Sequence, residues 1–220
     1  MILNVDAGEL DDEPEELYAL ADLLNVACGG HAGDERSMER VVLACKRAGT
    51  RVGAHPSYVD REGFGRRALD VAPGLLAEQI AEQCARLRAV ADASGVAITA
   101  AKPHGALYHA ADRDSALARA CVEGVRRALG DVPILGPAGG ALAKAAGASF
   151  LREAFADRGV RADGTLVPRG EPGALIALPA AAAARARALA ARGDVDTICL
   201  HGDTPGAVAI ARAVREALGR

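Results

Sequence analysis

Side chains capable of acid–base and electrostatic chemistry occur directly after short apolar segments of the chain. Asp6 and Glu9 follow the first such segment, His55 follows the third, and Lys102 and His104 follow the fourth. Carboxylates and imidazoles can transfer protons near neutral pH, and a partly desolvated lysine can stabilise negative charge that develops during a reaction. This recurrence indicates an enzyme, because a purely structural explanation would have to be supplied separately for each segment.

Further polar residues occupy comparable positions after the other apolar segments: His31, Asp34, Asp157, Arg158, His201 and Asp203. Asp34 and Asp203 could equally cap the helices that follow them, since carboxylates suit helix N-termini. In the Gly63–Arg67 segment, Arg67 could hold a carboxylate or phosphate, whereas Arg66 is predicted to be a solvated surface residue. His109 is also predicted to lie on the surface.

Three of these residues form a possible set of ligands for a divalent metal. Asp6, His31 and His55 would supply oxygen and nitrogen ligands from different segments of the chain, and His104 could join them. A closely spaced motif such as HExxH does not occur in the sequence. The sequence therefore leaves open whether these residues bind a metal or transfer protons.

The elements that must position these residues are β-like segments alternating with segments of helical period. The predicted strands are Ile2–Val5, Leu23–Cys28, Val52–Ala54, Ala97–Ala101, Pro133–Leu135, Phe150–Ala154 and Thr197–Leu200, and the predicted helices cover about residues 35–48, 74–93, 113–129, 139–147, 178–192 and 205–218. This alternation is typical of a parallel sheet with helical crossovers. We predict one domain over residues 1–220, an α/β fold with a seven-stranded (β/α) barrel, in which the carboxyl ends of the strands converge on one face.

Composition excludes several classes of function. The formal net charge is −3 and aromatic residues make up 3 % of the 220 residues, which argues against nucleic-acid binding. The longest apolar segment contains Pro179 and is too short to cross a bilayer, and the N-terminus does not resemble a signal peptide. The five cysteines are widely spaced among apolar residues, so we interpret them as small buried hydrophobic residues of a cytoplasmic protein.

Eight ordered motifs, spread over nearly the whole chain, resemble the lactam-utilisation family of the LamB/YcsF type. They are Asn4–Glu9, Asn25–Asp34, Gly53–Tyr58, Gly63–Arg67, Lys102–Tyr108, Phe155–Arg158, Asp163–Arg169 and Cys199–Asp203. The chain departs from the family's pattern at Gly30, His109 and Val160. Eight motifs in the same order are far more specific than any one of them.

The resemblance implies a (β/α)7 barrel related to glycoside hydrolases and deacetylases, and the A subunit of a bacterial 5-oxoprolinase. Such an enzyme opens 5-oxo-L-proline to L-glutamate with ATP as co-substrate, together with separate B and C subunits. On this basis the predicted catalytic residues are Asp6, Glu9, His55, Lys102 and His104. The predicted substrate- and phosphate-binding residues are His31, Asp34, Arg67, Asp157, Arg158, Arg169, His201 and Asp203, with Arg158 or Arg169 as a clamp for the substrate carboxylate.

Two other functions remain compatible with the sequence. One is a stand-alone metal-dependent deacetylase or amidohydrolase that uses Asp6, His31 and His55 around a divalent ion. The other is a non-catalytic subunit that presents the substrate to partner subunits. A scaffold has no need for an imidazole at four strand ends, so the sequence favours an enzyme over the second alternative.

Overall fold

The computed structural model describes residues 1–161 and 165–219, so the motif Asp163–Arg169 lies partly outside the described residues. Seven parallel strands form a closed barrel in chain order, and β7 pairs with β1. The strands are β1 (Ile2–Ala7), β2 (Leu23–Ala27), β3 (Arg51–His55), β4 (Ile98–Ala101), β5 (Ile134–Gly136), β6 (Phe150–Phe155) and β7 (Thr197–His201). The seven-stranded (β/α) barrel predicted from the sequence is thereby confirmed.

The helices of the described residues connect these strands. They are α1 (Glu15–Leu20), α2 (Glu35–Ala48), α3 (Pro73–Ala93), α4 (Gly105–Arg113), α5 (Ser115–Leu129), α6 (Ala141–Ala146), α7 (Pro179–Arg192) and α8 (Ala207–Ala217). Within residues 1–161 and 165–219, each helix is too short or too polar to span a membrane.

Two helices were not predicted, and three helices, α5, α6 and α8, begin two residues later than predicted. Helix α1 has only six residues, and α4 begins at Gly105, directly after the strand-end motif that contains Lys102 and His104. Helix α5 begins at Ser115 rather than 113 because the Asp114 side chain accepts hydrogen bonds from the amides of Ala116 and Leu117. Helix α8 begins after Gly206, at φ 78°, so Pro205 does not lie in its first turn.

The interior of the barrel is layered along the strand direction. Toward the amino-terminal ends lies a small apolar cluster formed by Leu23, Ala100 and Leu135. Above it the Asn4 amide donates to Glu153 Oε1 at 3.0 Å and to a neighbouring threonine hydroxyl, and the Asn25 amide donates to Asn4 Oδ1 at 2.8 Å. Side chains two residues apart lie on the same face of a strand. The next interior layer above these amides therefore lies at the carboxyl ends of the strands.

Outside the barrel, a large apolar cluster fills the space between the strands and the helices. The approach of α5 to α3 depends on Gly124. A Cβ atom added there would lie 2.6 Å from the backbone oxygen of Ala77 and 2.8 Å from Ile80 Cβ. The two helices therefore pack at a distance that a larger residue would not allow.

This packing predicts that Gly124→Ala lowers the free energy of unfolding by about 1–3 kcal/mol, because the added methyl group overpacks the interface. Gly74→Ala in α3 is the matched control, since a Cβ atom there would meet nothing within 4 Å. The control is expected to be neutral or to gain up to about 1 kcal/mol from helix propensity. Urea denaturation followed by circular dichroism measures both; equal stability of the two variants would contradict this packing.

Candidate active site

The carboxyl ends of the strands bring together polar side chains from distant parts of the chain. Residues of β1, β3 and β7, and of the segments that follow β2, β4 and β6, contribute to one buried set: Asp6, His31, His55, Lys102, His104, Asp157 and His201. Each of these residues is at most 9 % exposed. Their charges therefore interact in surroundings that screen far less than water does.

Lys102 forms the centre of one half of this site. Its ammonium nitrogen lies 2.9 Å from Asp6 Oδ1, 3.1 Å from Glu153 Oε1 and 2.9 Å from Cys199 Sγ. Burial alone would lower the pKa of Lys102, but the surrounding groups, Asp6 foremost, raise it well above its usual value. Burial likewise favours a raised pKa for Asp6, yet His55 and Lys102 hold it well below the usual range. The two residues thus form a buried ion pair.

Two residues of this half were not predicted from the sequence. Glu153 was not identified at all, and Cys199 was interpreted as a small hydrophobic residue, whereas its sulfur contacts the Lys102 ammonium. A signal existed for both: Glu153 lies in a strand two residues before Phe155, and Cys199 lies two residues before His201. The two-residue period of a strand directs such positions toward the same side of the sheet.

The other half of the site is a group of four residues that we call the imidazole cluster: Glu9, His31, His55 and His104. Glu9 Oε1 lies 3.0 Å from His31 Nε2, 3.2 Å from His104 Nδ1 and 3.7 Å from His55 Nε2. The rings of His31 and His104 stack with centroids 3.6 Å apart. Burial, then the nearby His104, lowers the pKa of His31 to about 3. Burial would raise the pKa of Glu9, but hydrogen bonds with His104 and His31 keep it well below its usual value.

A loop formed by Asp60–Arg67 covers the imidazole cluster. Phe64 adopts a left-handed conformation with φ 53°, and its carbonyl oxygen accepts a hydrogen bond from His104 Nε2 at 2.9 Å. Gly65, at φ 65°, follows it; a Cβ atom there would lie 2.8 Å from His31 Cβ and 2.9 Å from His104 Cδ2. The glycine in this motif is needed because the loop backbone approaches the imidazole rings closely.

His201 and Asp157 form a separate pair at the barrel mouth. His201 Nδ1 lies 3.0 Å from Asp157 Oδ1, and Asp157 Oδ2 accepts from the His201 amide and the Thr204 hydroxyl, each at 2.8 Å. Because a carboxylate accepts, Nδ1 carries the proton, and Nε2 lies 3.9 Å from Asp6 Oδ2. Burial tends to raise the pKa of Asp157, but His201 and these hydrogen bonds lower it.

A pocket opens to solvent at this mouth, and arginines surround it. Its lining includes Arg66, Arg158 and Arg169 together with His109. Arg66 and Arg169 both bind Asp203 Oδ2, at 2.8 and 2.7 Å. Arg66 is an exposed residue, as predicted, and also lines the pocket, whereas His109 is half-buried in the pocket wall and is not the surface residue that was predicted.

The position of Arg158 is fixed by backbone acceptors: its guanidinium donates to the backbone oxygens of Ala174 at 3.0 Å and Val167 at 2.7 Å. Its pKa is lowered by burial and by the neighbouring Arg169. Two of the three arginines at this rim pair with Asp203, while the Arg158 guanidinium donates to backbone oxygens, and the rim is therefore suited to bind an anion.

Of the predicted binding residues that do not line the pocket, His31, Asp157 and Asp203 contact residues that line it, whereas Asp34 and Arg67 have partners elsewhere. Asp34 caps α2, accepting from the Ser37 amide at 2.8 Å, while the Ser37 hydroxyl accepts from the Asp34 amide. Arg67 is 57 % exposed at its side chain and pairs with Asp60, to which its Nε donates at 2.9 Å. Asp34 thus stabilises a helix start, and Arg67 stabilises the covering loop.

The described residues offer two groups of donor atoms that could hold a divalent metal ion: the imidazole cluster, and Asp6 with Cys199 and His201. The predicted set of Asp6, His31 and His55 is divided between these two groups, although His55 Nε2 also lies 3.4 Å from Asp6 Oδ2. In the second group the Lys102 ammonium already contacts both Asp6 and Cys199, and its positive charge opposes a cation there.

Comparisons with known proteins agree with this architecture. The model of the LamB/YcsF family matches residues 2–220. The 5-oxoprolinase A subunit of Streptomyces avermitilis is 45 % identical, covering 98 % of this chain and 94 % of its own length, and that of Methylococcus capsulatus is 42 % identical, covering 97 % and 90 %.

Solved structures extend the comparison to the fold. The lactam utilization protein from Thermus thermophilus superposes with a TM-score of 0.90 at 34 % identity, over 100 % of this chain and 96 % of the other. A family 4 carbohydrate esterase from Streptomyces lividans superposes with a TM-score of 0.56 at 13 % identity, over 100 % of this chain and 87 % of the other. The second likeness concerns the fold alone.

The buried ion pair predicts that Lys102→Met lowers the free energy of unfolding by about 3–5 kcal/mol, because Asp6 and Glu153 lose their cationic partner. Arg127→Met is the control: it removes an exposed i,i+4 pair with Glu123, which contributes about 0.3–0.5 kcal/mol. Adding Glu153→Gln to Lys102→Met should recover part of the loss. Urea denaturation of the four proteins, wild type included, tests this; equal losses for Lys102→Met and Arg127→Met would contradict it.

The pKa of His31 predicts a pH dependence in chelator-treated protein. The unfolded chain takes up a proton at this histidine near its usual pKa of 6.5, whereas the folded chain does so only near about 3. Stability contributed by the neutral ring is therefore lost as the pH falls from 6.5 toward 3. Histidine NMR should show a neutral His31 ring at about pH 5, and His31→Gln should flatten the decline in stability; titration of His31 near its usual pKa would contradict both.

Proposed function

Because the chain belongs to the LamB/YcsF family, we propose that it is the A subunit of a 5-oxoprolinase, which opens 5-oxo-L-proline to L-glutamate with ATP hydrolysis. The naming of its relatives as A subunits supports the participation of separate B and C subunits. The five free, buried cysteines support work in the reducing cytoplasm.

One observation carries this proposal: an arginine-rimmed pocket stands directly over the buried Lys102–Asp6 pair and the His201–Asp157 pair. 5-Oxoproline is a small lactam that carries one carboxylate. The guanidinium groups of Arg158 and Arg169 suit that carboxylate, which would direct the lactam ring toward the interior of the pocket.

The chemistry requires activation because a lactam is a resonance-stabilised amide. Transfer of a phosphoryl group from ATP to the lactam oxygen would make the ring carbon electrophilic and supply a leaving group. Water then forms a C–O bond at that carbon, and the ring C–N bond breaks as the nitrogen takes up a proton, which leaves an acyl phosphate. A second water hydrolyses the acyl phosphate and releases L-glutamate and phosphate. Such a sequence needs cationic groups for the phosphoryl oxygens and a base and an acid for the protons.

The residues of the pocket divide these tasks. Lys102 would stabilise negative charge on the oxygen of the reacting carbon, assisted by the arginines of the rim. His201 is oriented through Nδ1 by Asp157, which leaves Nε2 facing Asp6 and the pocket as the proton acceptor. Asp6, beside both Lys102 and His201, would balance the charge of the protonated imidazole.

The predicted catalytic residues Glu9, His55 and His104 would act at the wall of the pocket. His55 and His104 line it, yet each has one ring nitrogen bound to a backbone carbonyl and the other directed into the imidazole cluster. These residues would therefore shape the wall and its charge, and a divalent ion held by the cluster would add positive charge there.

The test is ATP-dependent release of glutamate from 5-oxo-L-proline by the chain combined with B and C subunits. His201→Asn is expected to reduce kcat on the order of 10²–10⁴-fold, the usual contribution of a general base. The change should leave assembly of the complex intact, as measured by size-exclusion chromatography. Arg127→Met on the exposed face of α5 is the control and should keep its activity.

Two outcomes would favour the other functions. Full activity of His201→Asn, His55→Ala and Lys102→Ala in a complex that still requires the chain would show a non-catalytic subunit. Chelator-sensitive hydrolysis of acetylated substrates by the chain alone, without ATP and without B and C subunits, would show a metal-dependent deacetylase.

A further inference from the structure

Tyr108, in helix α4, is a residue of the pocket wall whose hydroxyl group has no hydrogen-bond partner among the described residues. The residue is only 3 % exposed. Among the described side chains that line the pocket, the Tyr108 hydroxyl is the one polar group that is both buried and unpartnered. A hydroxyl in this position is unfavourable for the folded chain by itself, and such groups in native proteins call for a functional or structural explanation.

The ring of Phe155 places Tyr108 beside the groups that would act on the lactam. The Tyr108 ring meets the Phe155 ring edge-on, with the two centroids 5.8 Å apart. The His201 ring stacks on the same Phe155 ring at 5.6 Å, and Lys102 Nζ lies 5.3 Å from its centroid. Tyr108, His201 and Lys102 therefore surround one aromatic side chain and line one pocket.

The N–H groups of Lys102 are already engaged within the protein. An ammonium group has three N–H donors. Three acceptors lie against it: Asp6 Oδ1 at 2.9 Å, Cys199 Sγ at 2.9 Å and Glu153 Oε1 at 3.1 Å. Lys102 would therefore act on a substrate through its charge, which leaves the direct hydrogen bond to the reacting group to another side chain.

We propose that the Tyr108 hydroxyl supplies this bond by donating to the lactam oxygen of 5-oxo-L-proline, an inference that rests on the proposed function. Burial, and then the nearby Glu153, raises the pKa of Tyr108 well above its usual value, so the hydroxyl keeps its proton near neutral pH. A neutral donor suits the uncharged oxygen of a lactam, whereas the arginines of the rim suit the carboxylate. Tyr108 thus distinguishes a lactam from a ring that carries the same carboxylate without the lactam group.

The Glu153 carboxylate is the other group that this hydroxyl could serve. Glu153 Oε1 faces Lys102 and the Asn4 amide, whereas Oε2 has no hydrogen-bond partner among the described residues. The two roles predict different effects on stability. Removal of a hydroxyl reserved for substrate leaves the free energy of unfolding unchanged or higher, whereas removal of one that holds Glu153 lowers it.

The test compares Tyr108→Phe with the wild type in two measurements. The first is ATP-dependent release of glutamate by the chain combined with B and C subunits. We expect the KM for 5-oxo-L-proline to rise roughly twofold to tenfold, which corresponds to the loss of one neutral hydrogen bond, while kcat changes less. Inhibition by cyclopentanecarboxylate should stay unchanged, because this compound has the ring and the carboxylate but no lactam oxygen. The second measurement is urea denaturation of the isolated chain, in which Tyr108→Phe is expected to be at least as stable as the wild type.

Tyr18→Phe is the matched control. Tyr18 is also buried, but its hydroxyl donates to Glu13 Oε2 at 2.8 Å, and the residue does not line the pocket. Its removal should lower the free energy of unfolding and leave the KM unchanged, the opposite of the result expected for Tyr108→Phe.

Three results would overturn the inference while leaving the proposed function in place. They are an unchanged KM in Tyr108→Phe, a loss of stability as large as that of Tyr18→Phe, and an equal weakening of inhibition by cyclopentanecarboxylate. The second of these would assign the hydroxyl to Glu153. A wild-type complex that releases no glutamate would instead overturn the proposed function and this inference with it.

Discussion

The ammonium group of Lys102 is the interaction on which the upper part of the barrel depends. Asp6 and Glu153 both lie in the interior, where an unpaired carboxylate would be strongly destabilising, and Lys102 contacts both. Its position at the end of β4 makes this possible, since parallel strands of a barrel deliver their last residues to one face. Charges that would be screened in water are thereby fixed in place before any substrate arrives.

The layered interior explains how a small barrel supports this arrangement. The apolar cluster of Leu23, Ala100 and Leu135 closes the amino-terminal end, and the side-chain amides of Asn4 and Asn25 connect it to the charged layer above. The nitrogen of each buried amide donates within the barrel and Asn4 Oδ1 accepts there, whereas Asn25 Oδ1 has no hydrogen-bond partner among the described residues. The charged layer therefore lies on a rigid, hydrogen-bonded support rather than on loops alone.

The sequence was sufficient to predict the seven strands and the residues at their carboxyl ends, because both follow from local patterns. It was insufficient wherever the partner of a residue lies on a distant strand. Glu153 and Cys199 looked like strand residues until the closed barrel placed them beside Lys102. Similarly, the division of the histidines between Glu9 and Asp157 depends on how far each loop folds back, which spacing along the chain does not encode.

Local chemistry explains the remaining differences. Asp34 has the capping signature of Ser37 three residues later, and this role describes its position better than a place at the pocket. Arg66 and Arg67 are adjacent, yet they point to opposite sides of the loop: Arg66 pairs with Asp203 and Arg67 pairs with Asp60. The conformation of a glycine-rich turn decides this, and the residue types do not.

The same turn has a mechanical consequence. The Phe64 carbonyl of this turn accepts a hydrogen bond from the His104 ring. Two residues later, Arg66 donates to Asp203 on the other side of the pocket opening. A displacement of the turn that widened the entrance would also weaken the hydrogen bond to that ring. Opening of the pocket entrance is therefore coupled, through the backbone of this turn, to the position of the histidine ring in the pocket wall.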